Sequence, residues 1–188
     1  GNTYHYEYDR NGNITKETNP LGLVTEYIYD ENNLLTSLKN PDGSIYSYQY
    51  DAKGNMLSAK DPLGRITKMA YNEKGLPVQV TLPDGNYSSL EYDARGNIIA
   101  ITDPLGNKTS NEYDHLNRVS SITKPEGNKI ELQYTPGGKI KKVINPDGTV
   151  ITSSYDKRGL LTEETDEGGR TTKYQYNGMG KLIEKTDA

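Results

Sequence analysis

Short stretches of strict two-residue alternation recur along the chain. In Tyr46-Ser47-Tyr48-Gln49-Tyr50, three tyrosines fall on one side of an extended backbone and two polar residues on the other, which is the pattern of a half-buried strand. Thr25, Tyr27 and Tyr29 repeat it, as do Ile130, Leu132 and Tyr134, and again Thr172, Tyr174 and Tyr176. The opposite side carries Lys68, Glu91, Glu112, Lys129, Glu131 and Lys173. Shorter and less regular runs lie between, such as Asn97-Ile98-Ile99-Ala100-Ile101-Thr102, whose β-branched content favours a strand over a helix. No stretch free of Gly and Pro shows helical spacing over a helical length.

The alternating runs keep a fixed register. A tyrosine returns every 21 residues, at Tyr8, Tyr29, Tyr50, Tyr71, Tyr92, Tyr113, Tyr134, Tyr155 and Tyr176, so the chain is a tandem array of nine units. Asp follows the tyrosine at Asp9, Asp30, Asp51, Asp93, Asp114 and Asp156, and four places after each tyrosine stands Gly or Asn, the residues that best tolerate positive φ. Twelve places after it comes proline, from Pro20 to Pro146, with Gly22, Gly43, Gly64, Gly85, Gly106, Gly127 and Gly148 two residues later. The eighth unit keeps Gly169 but has Glu167 where the proline falls. Asp51-Ala52-Lys53-Gly54 suits a short hairpin with a bulge, because Asp can accept from the amides ahead of it while Gly takes the left-handed position. In Asp61-Pro62-Leu63-Gly64, proline presets φ at the second turn position and glycine relieves strain at the end.

Each unit thus predicts two antiparallel strands. The fold expected is all-β, a continuous antiparallel meander of about 18 strands built from tandem β-hairpins. Strands ~4.8 Å apart would make a flat sheet roughly 80 Å wide, and open twisted sheets rarely exceed about ten strands without curling. The expectation is a sheet coiled into a curved wall, with the tyrosine ladder on its inner, concave face. A uniform repeat leaves no internal place to cut, so residues 1–188 read as one array, and repeats running to both ends read as a segment of something longer.

Composition narrows the partners and the chemistry. Only 32% of the 188 residues are apolar, Phe, Trp and Cys are absent, and 16 tyrosines supply all the aromatic surface, so a thick core is not expected. The net charge of −4 is mixed along the chain without a basic run, which argues against nucleic acid. No apolar stretch is long enough for a membrane-spanning helix, and the N-terminus lacks the features of a signal peptide. No cofactor or metal is expected. His5 and His115 are far apart in sequence and have no cysteine to join them. The Asp-rich turns lack the distal Glu of a calcium loop, and Glu163 and Glu164 point to opposite faces of a strand. No catalytic residue is identified, and a non-enzyme is expected.

The remaining candidate is the tyrosine ladder. Its structural role would be to cement adjacent hairpins through stacked rings. Its binding role would be to present phenols to a sugar or a peptide, with Tyr46, Tyr48 and Tyr50 as the densest patch.

The unit Tyr-Asp-x-x-Gly-Asn-Leu, then Pro-x-Gly, resembles the RHS or YD repeat. Tyr50-Asp51-Ala52-Lys53-Gly54-Asn55-Met56 and Asp61-Pro62-Leu63-Gly64 match that family's pattern almost letter for letter, while Tyr71-Asn72 and Tyr134-Thr135 depart from the Tyr-Asp pair. RHS repeats occur in polymorphic toxins, insecticidal toxin complexes and teneurins. The resemblance implies a spiralling β shell, secreted or on the cell surface, that encloses or presents a C-terminal toxin or effector domain. It implies as partners the rest of that shell and its effector. The family's self-cleaving core carries an Arg-Phe element, and a chain without phenylalanine does not have it. The alternative role from this resemblance is a carbohydrate-binding or adhesion module. Unpaired outer strands would further allow edge-to-edge self-association.

Overall fold

A computed structural model describes residues 2–187. Among them every regular element is a strand, and successive strands whose register is defined run antiparallel. Two compact units divide the chain: residues up to Glu91 with Thr102–Leu105, and Tyr92–Ile101 with residues from Gly106 on.

The first unit holds β1 (His5–Tyr8), β2 (Ile14–Thr18), β3 (Val24–Tyr29), β4 (Leu35–Lys39), β5 (Ile45–Tyr50), β6 (Met56–Lys60), β7 (Ile66–Tyr71), β8 (Pro77–Thr81) and nearly all of β9 (Tyr87–Tyr92). The second holds nearly all of β10 (Ile98–Thr102), then β11 (Lys108–Tyr113), β12 (Val119–Thr123), β13 (Lys129–Tyr134), β14 (Ile140–Ile144), β15 (Val150–Tyr155), β16 (Leu161–Thr165), β17 (Thr171–Tyr176) and β18 (Leu182–Thr186).

Two kinds of strand pair alternate. Across the Tyr-Asp turn the ladder is long: Ser47 faces Lys60, Tyr48 faces Ala59, Gln49 faces Ser58, and after a bulge Tyr50 faces Met56. Across the Pro-Gly turn it is short, with Ser37 facing Ser47, Leu38 facing Tyr46 and Lys39 facing Ile45. Beyond Ser37, β4 and β5 are no longer in register with one another, so the pair is open at the end remote from its turn.

The two turns, which differ in sequence, use one device. The Asp51 amide donates to the Asn55 carbonyl and the Gly54 amide to the Asp51 carbonyl; Asp61, Gly64 and Arg65 repeat both bonds. One carboxylate oxygen of Asp51 accepts from the Lys53 and Asn55 amides, and the other from the Asn55 side chain. Asp61 does the same for Leu63, Arg65 and the Arg65 guanidinium. Each is a four-residue turn closed by a left-handed residue, which fits the right-handed twist of the flanking strands.

Alternation survives folding. β13 reads exposed, half-buried, exposed, half-buried along its length, with Ile130, Leu132 and Tyr134 on the covered side. The only buried residues described are Ala100 and Ser121, both on the polar side. The Ser121 hydroxyl donates to Glu112 at 2.7 Å. Ser121 lies between Glu112 and Glu131 of the two neighbouring strands. β1 and β18 are exposed along their whole length.

Asn33 occupies the left-handed position of its turn, at φ 63°. Its side-chain oxygen accepts from Asn11 and Asn13, each at 2.8 Å, and so ties one Tyr-Asp turn to the preceding one. Asn33→Ala is therefore expected to lose about 2 kcal/mol, from left-handed strain plus the broken contact. Asn33→Gly relieves the strain while losing the same contact, and is expected to stay within about 1 kcal/mol of the native chain in thermal unfolding.

Candidate functional site

The tyrosine that sets the repeat closes the open end of the short strand pair. Tyr50 reaches across to the preceding unit and donates its hydroxyl to the Leu35 carbonyl at 2.8 Å, just where β4 and β5 leave register. Tyr71 to Met56 at 3.0 Å, Tyr113 to Ile98 at 2.9 Å, Tyr134 to Val119 at 2.6 Å and Tyr155 to Ile140 at 2.8 Å are the same bond in other units. Each phenol supplies a donor to a backbone carbonyl of the preceding hairpin, shared at Ile98 with the Asn111 side chain.

The structural role expected of the ladder is thus carried by hydroxyls. Ring stacking is seen at Tyr4 and Tyr6, 6.4 Å apart and 14° from parallel, and joins no two of the repeat-setting tyrosines described. Their spacing of a full hairpin keeps the rings apart. Tyr134 is further covered by Arg118, whose guanidinium lies 4.4 Å from the ring centre and also pairs with Asp114 at 2.6 Å. The acceptor carbonyls were not legible beforehand, because they are backbone atoms whose availability depends on where the ladder opens.

Tyr46, Tyr48 and Tyr50 share one side of β5, as alternation requires. Tyr46 faces Leu38 and Tyr48 faces Ala59, while the Tyr50 hydroxyl is committed to Leu35. Burial first, then Tyr48 and Asp30, hold the Tyr50 phenol above its ordinary pKa, so it remains a donor. On the same side of the first unit, Tyr6 faces Glu17, Glu17 faces Thr25, and Tyr27 faces Leu38. The Tyr27 hydroxyl points to a Glu17 carboxylate oxygen at 3.4 Å.

The other candidate chemistry is not assembled. His5 lies in β1 opposite Thr18, and His115 sits in an exposed turn. Glu163 faces Ser154 and Lys173, whereas its neighbour Glu164 faces Ser153 and Thr172 on the other side. Among the described residues no group of three His, Asp or Glu side chains is placed to hold a metal ion. The Asp9 oxygens are occupied by the Asn11 and Asn13 amides and the Asn13 side chain, which makes the turn itself their function.

The RHS Repeat family model matches residues 8–45, 29–66, 71–109 and 155–188, well over half of the chain. The chain belongs to this family. No curated protein matches it. Among solved structures, this RHS-repeat chain is similar to TcdB2-TccC3, with a TM-score of 0.77 at 17% identity over 98% of its length. TcdB2-TccC3 without its hypervariable C-terminal region gives 0.76 at 17% identity and the same coverage. A Tc holotoxin pore from Photorhabdus luminescens gives 0.54 at 16% identity. At such identities the likeness is one of fold. The chain spans 11% of each TcdB2-TccC3 chain and 12% of the holotoxin chain.

Proposed function

We propose that this RHS-repeat array is a structural, non-catalytic segment of the wall of a larger secreted or extracellular protein. The wall encloses or presents a C-terminal effector domain, and the tyrosine side, including Tyr46, Tyr48 and Tyr50, faces the occupant. In this reading residues 1–188 form one continuous array whose partners are the rest of the shell and its effector.

The observation that carries the reading is the tyrosine brace between units. Tyr50, Tyr71, Tyr113, Tyr134 and Tyr155 each hold a hairpin to the one before, so stability comes from neighbour-to-neighbour contacts and needs no central core. A sheet of that kind is suited to be a wall. The likeness in fold to TcdB2-TccC3 over 98% of the chain supports the same reading.

Small-angle X-ray scattering coupled to size exclusion tests it. The expected profile is a curved, crescent-like particle. A compact solid particle would mean that the tyrosine side packs against another part of the same chain, and the wall reading would be lost.

A further inference from the structure

The tyrosine side of the first unit is almost free of charge. Along its registered pairs, from Tyr6 in β1 to Ser88 in β9, Glu17 is the one ionisable carboxylate or cation. It is half-buried, and among the described residues no Lys or Arg pairs with it. Its surroundings are phenolic: Tyr6 directly opposite, Thr25 on the other side, and the Tyr27 hydroxyl at 3.4 Å. Burial first, then the Glu17 charge, raise the Tyr27 pKa, which keeps that hydroxyl protonated.

The polar side treats its carboxylates differently. Lys16 pairs with Glu7 at 2.9 Å, Lys39 with Glu26 at 3.0 Å, and Lys129 with Glu112 at 3.3 Å. Glu7, Glu26 and Glu112 are thus matched by lysines, and Glu17 is left without one.

The second unit repeats the residue types but not the setting. Glu164 faces Thr172 at the repeat positions of Glu17 and Thr25, but Tyr174, at that of Tyr27, faces Lys185, which pairs with Asp187 at 2.9 Å, so a cation already stands opposite that tyrosine. Glu164 lines an open hollow of about 440 Å³ with Ile151, Asp166, Glu167, Gly168 and Arg170. The Arg170 charge is already taken by Asp166 at 2.7 Å.

A half-covered carboxylate beside a phenol ring is the environment that a guanidinium takes up. This chain seats one of its own that way, with Arg118 between Asp114 and the Tyr134 ring. A cation over tyrosine is worth about 0.5–1 kcal/mol when exposed and more when desolvated, as a general rule.

We infer that the tyrosine side of the first unit docks an extended, arginine-bearing polypeptide segment, with a guanidinium group seated at Glu17–Tyr27. The inference rests on the wall reading, and names the chemistry of the segment that the wall faces.

The probe is a short peptide carrying one arginine, compared with its citrulline counterpart, which has the same shape without the charge. Binding is followed by NMR of the tyrosine rings. The native chain is expected to bind the arginine peptide saturably, shifting the Tyr27 ring signals, and to bind the citrulline peptide about tenfold more weakly. The Glu17→Gln variant is expected to lose about tenfold in affinity, while the charge-matched Glu7→Gln variant stays within about twofold. Absence of saturable binding to the native chain overturns the inference, and so does an equal loss in the charge-matched variant. A crescent-like scattering profile without peptide binding removes this inference alone, whereas a compact solid profile removes the wall reading beneath it.

Discussion

Replacing Tyr134 by alanine is expected to lower the unfolding free energy by about 2–3 kcal/mol, and Tyr134→Phe by about 1 kcal/mol. The phenylalanine variant keeps the ring under Arg118 but removes the 2.6 Å bond to the Val119 carbonyl. That carbonyl then stays half-covered without its donor, which is the costly half of losing a hydrogen bond. The alanine variant also uncovers the ring's neighbours and releases Arg118 from its stacking position. Tyr48→Phe is the control, since among the described residues the Tyr48 hydroxyl has no protein partner, and it is expected to change stability by less than about 0.5 kcal/mol. Chemical unfolding followed by circular dichroism reads all three. If Tyr134→Phe and Tyr48→Phe unfold at the same denaturant concentration, the hydroxyl brace has no energetic role.

Acid should unfold this chain through its turns. Side-chain hydrogen bonding from Asn13, Asn55 and Asn97 holds Asp9, Asp51 and Asp93 below their ordinary pKa, and the Arg118 side chain does the same for Asp114. A carboxyl whose folded pKa is depressed stabilises the fold above its unfolded value, about 4, and that contribution fades as pH falls through the folded value. The thermal midpoint is therefore expected to be flat from neutral pH down to about 5 and to fall steeply below about 4.

Asparagine supplies the same backbone acceptor without the titration. Asn72 already does so, accepting from the Lys74 and Leu76 amides at 3.0 Å each. Combining Asp9→Asn, Asp51→Asn, Asp93→Asn and Asp114→Asn should lower the midpoint at neutral pH and flatten its acid limb. An acid limb as steep as that of the native chain would place the titration elsewhere.

Much of this was legible because a repeat states its own grammar. The alternation at Ile130, Leu132 and Tyr134 places all three on the covered side of β13, since a strand's faces follow from a period of two and nothing more. The left-handed positions at Asn33 and Gly54 were readable from the residues that tolerate them. The equivalence of the two turns was less plain, because proline in one and a variable pair in the other hide the shared Asp or Asn at the start and Gly at the end. That shared frame, at Asp51 to Gly54 and again at Asp61 to Gly64, was the available signal.

The stacked-ring role for the tyrosines was a reading from residue type, and geometry replaced it. Aromatic side chains one hairpin apart come together only if register and twist bring them within reach. In this sheet the register delivers the hydroxyls of Tyr50 and Tyr134 to carbonyls instead. Glu17 and Tyr27 likewise look unrelated along the chain. Their meeting depends on β2 and β3 pairing with Glu17 opposite Thr25.

The sequence by itself determined the family, the strands, the turns and the absence of a thick core, because each follows from local spacing and from backbone preferences that act within a few residues. Only the tertiary structure decided which strand pairs stay closed and which open, which carbonyls therefore need a phenol, and which carboxylate is left among tyrosines without a cation. Those outcomes depend on the offset between strands from one hairpin to the next, and the 21-residue period leaves that offset unstated.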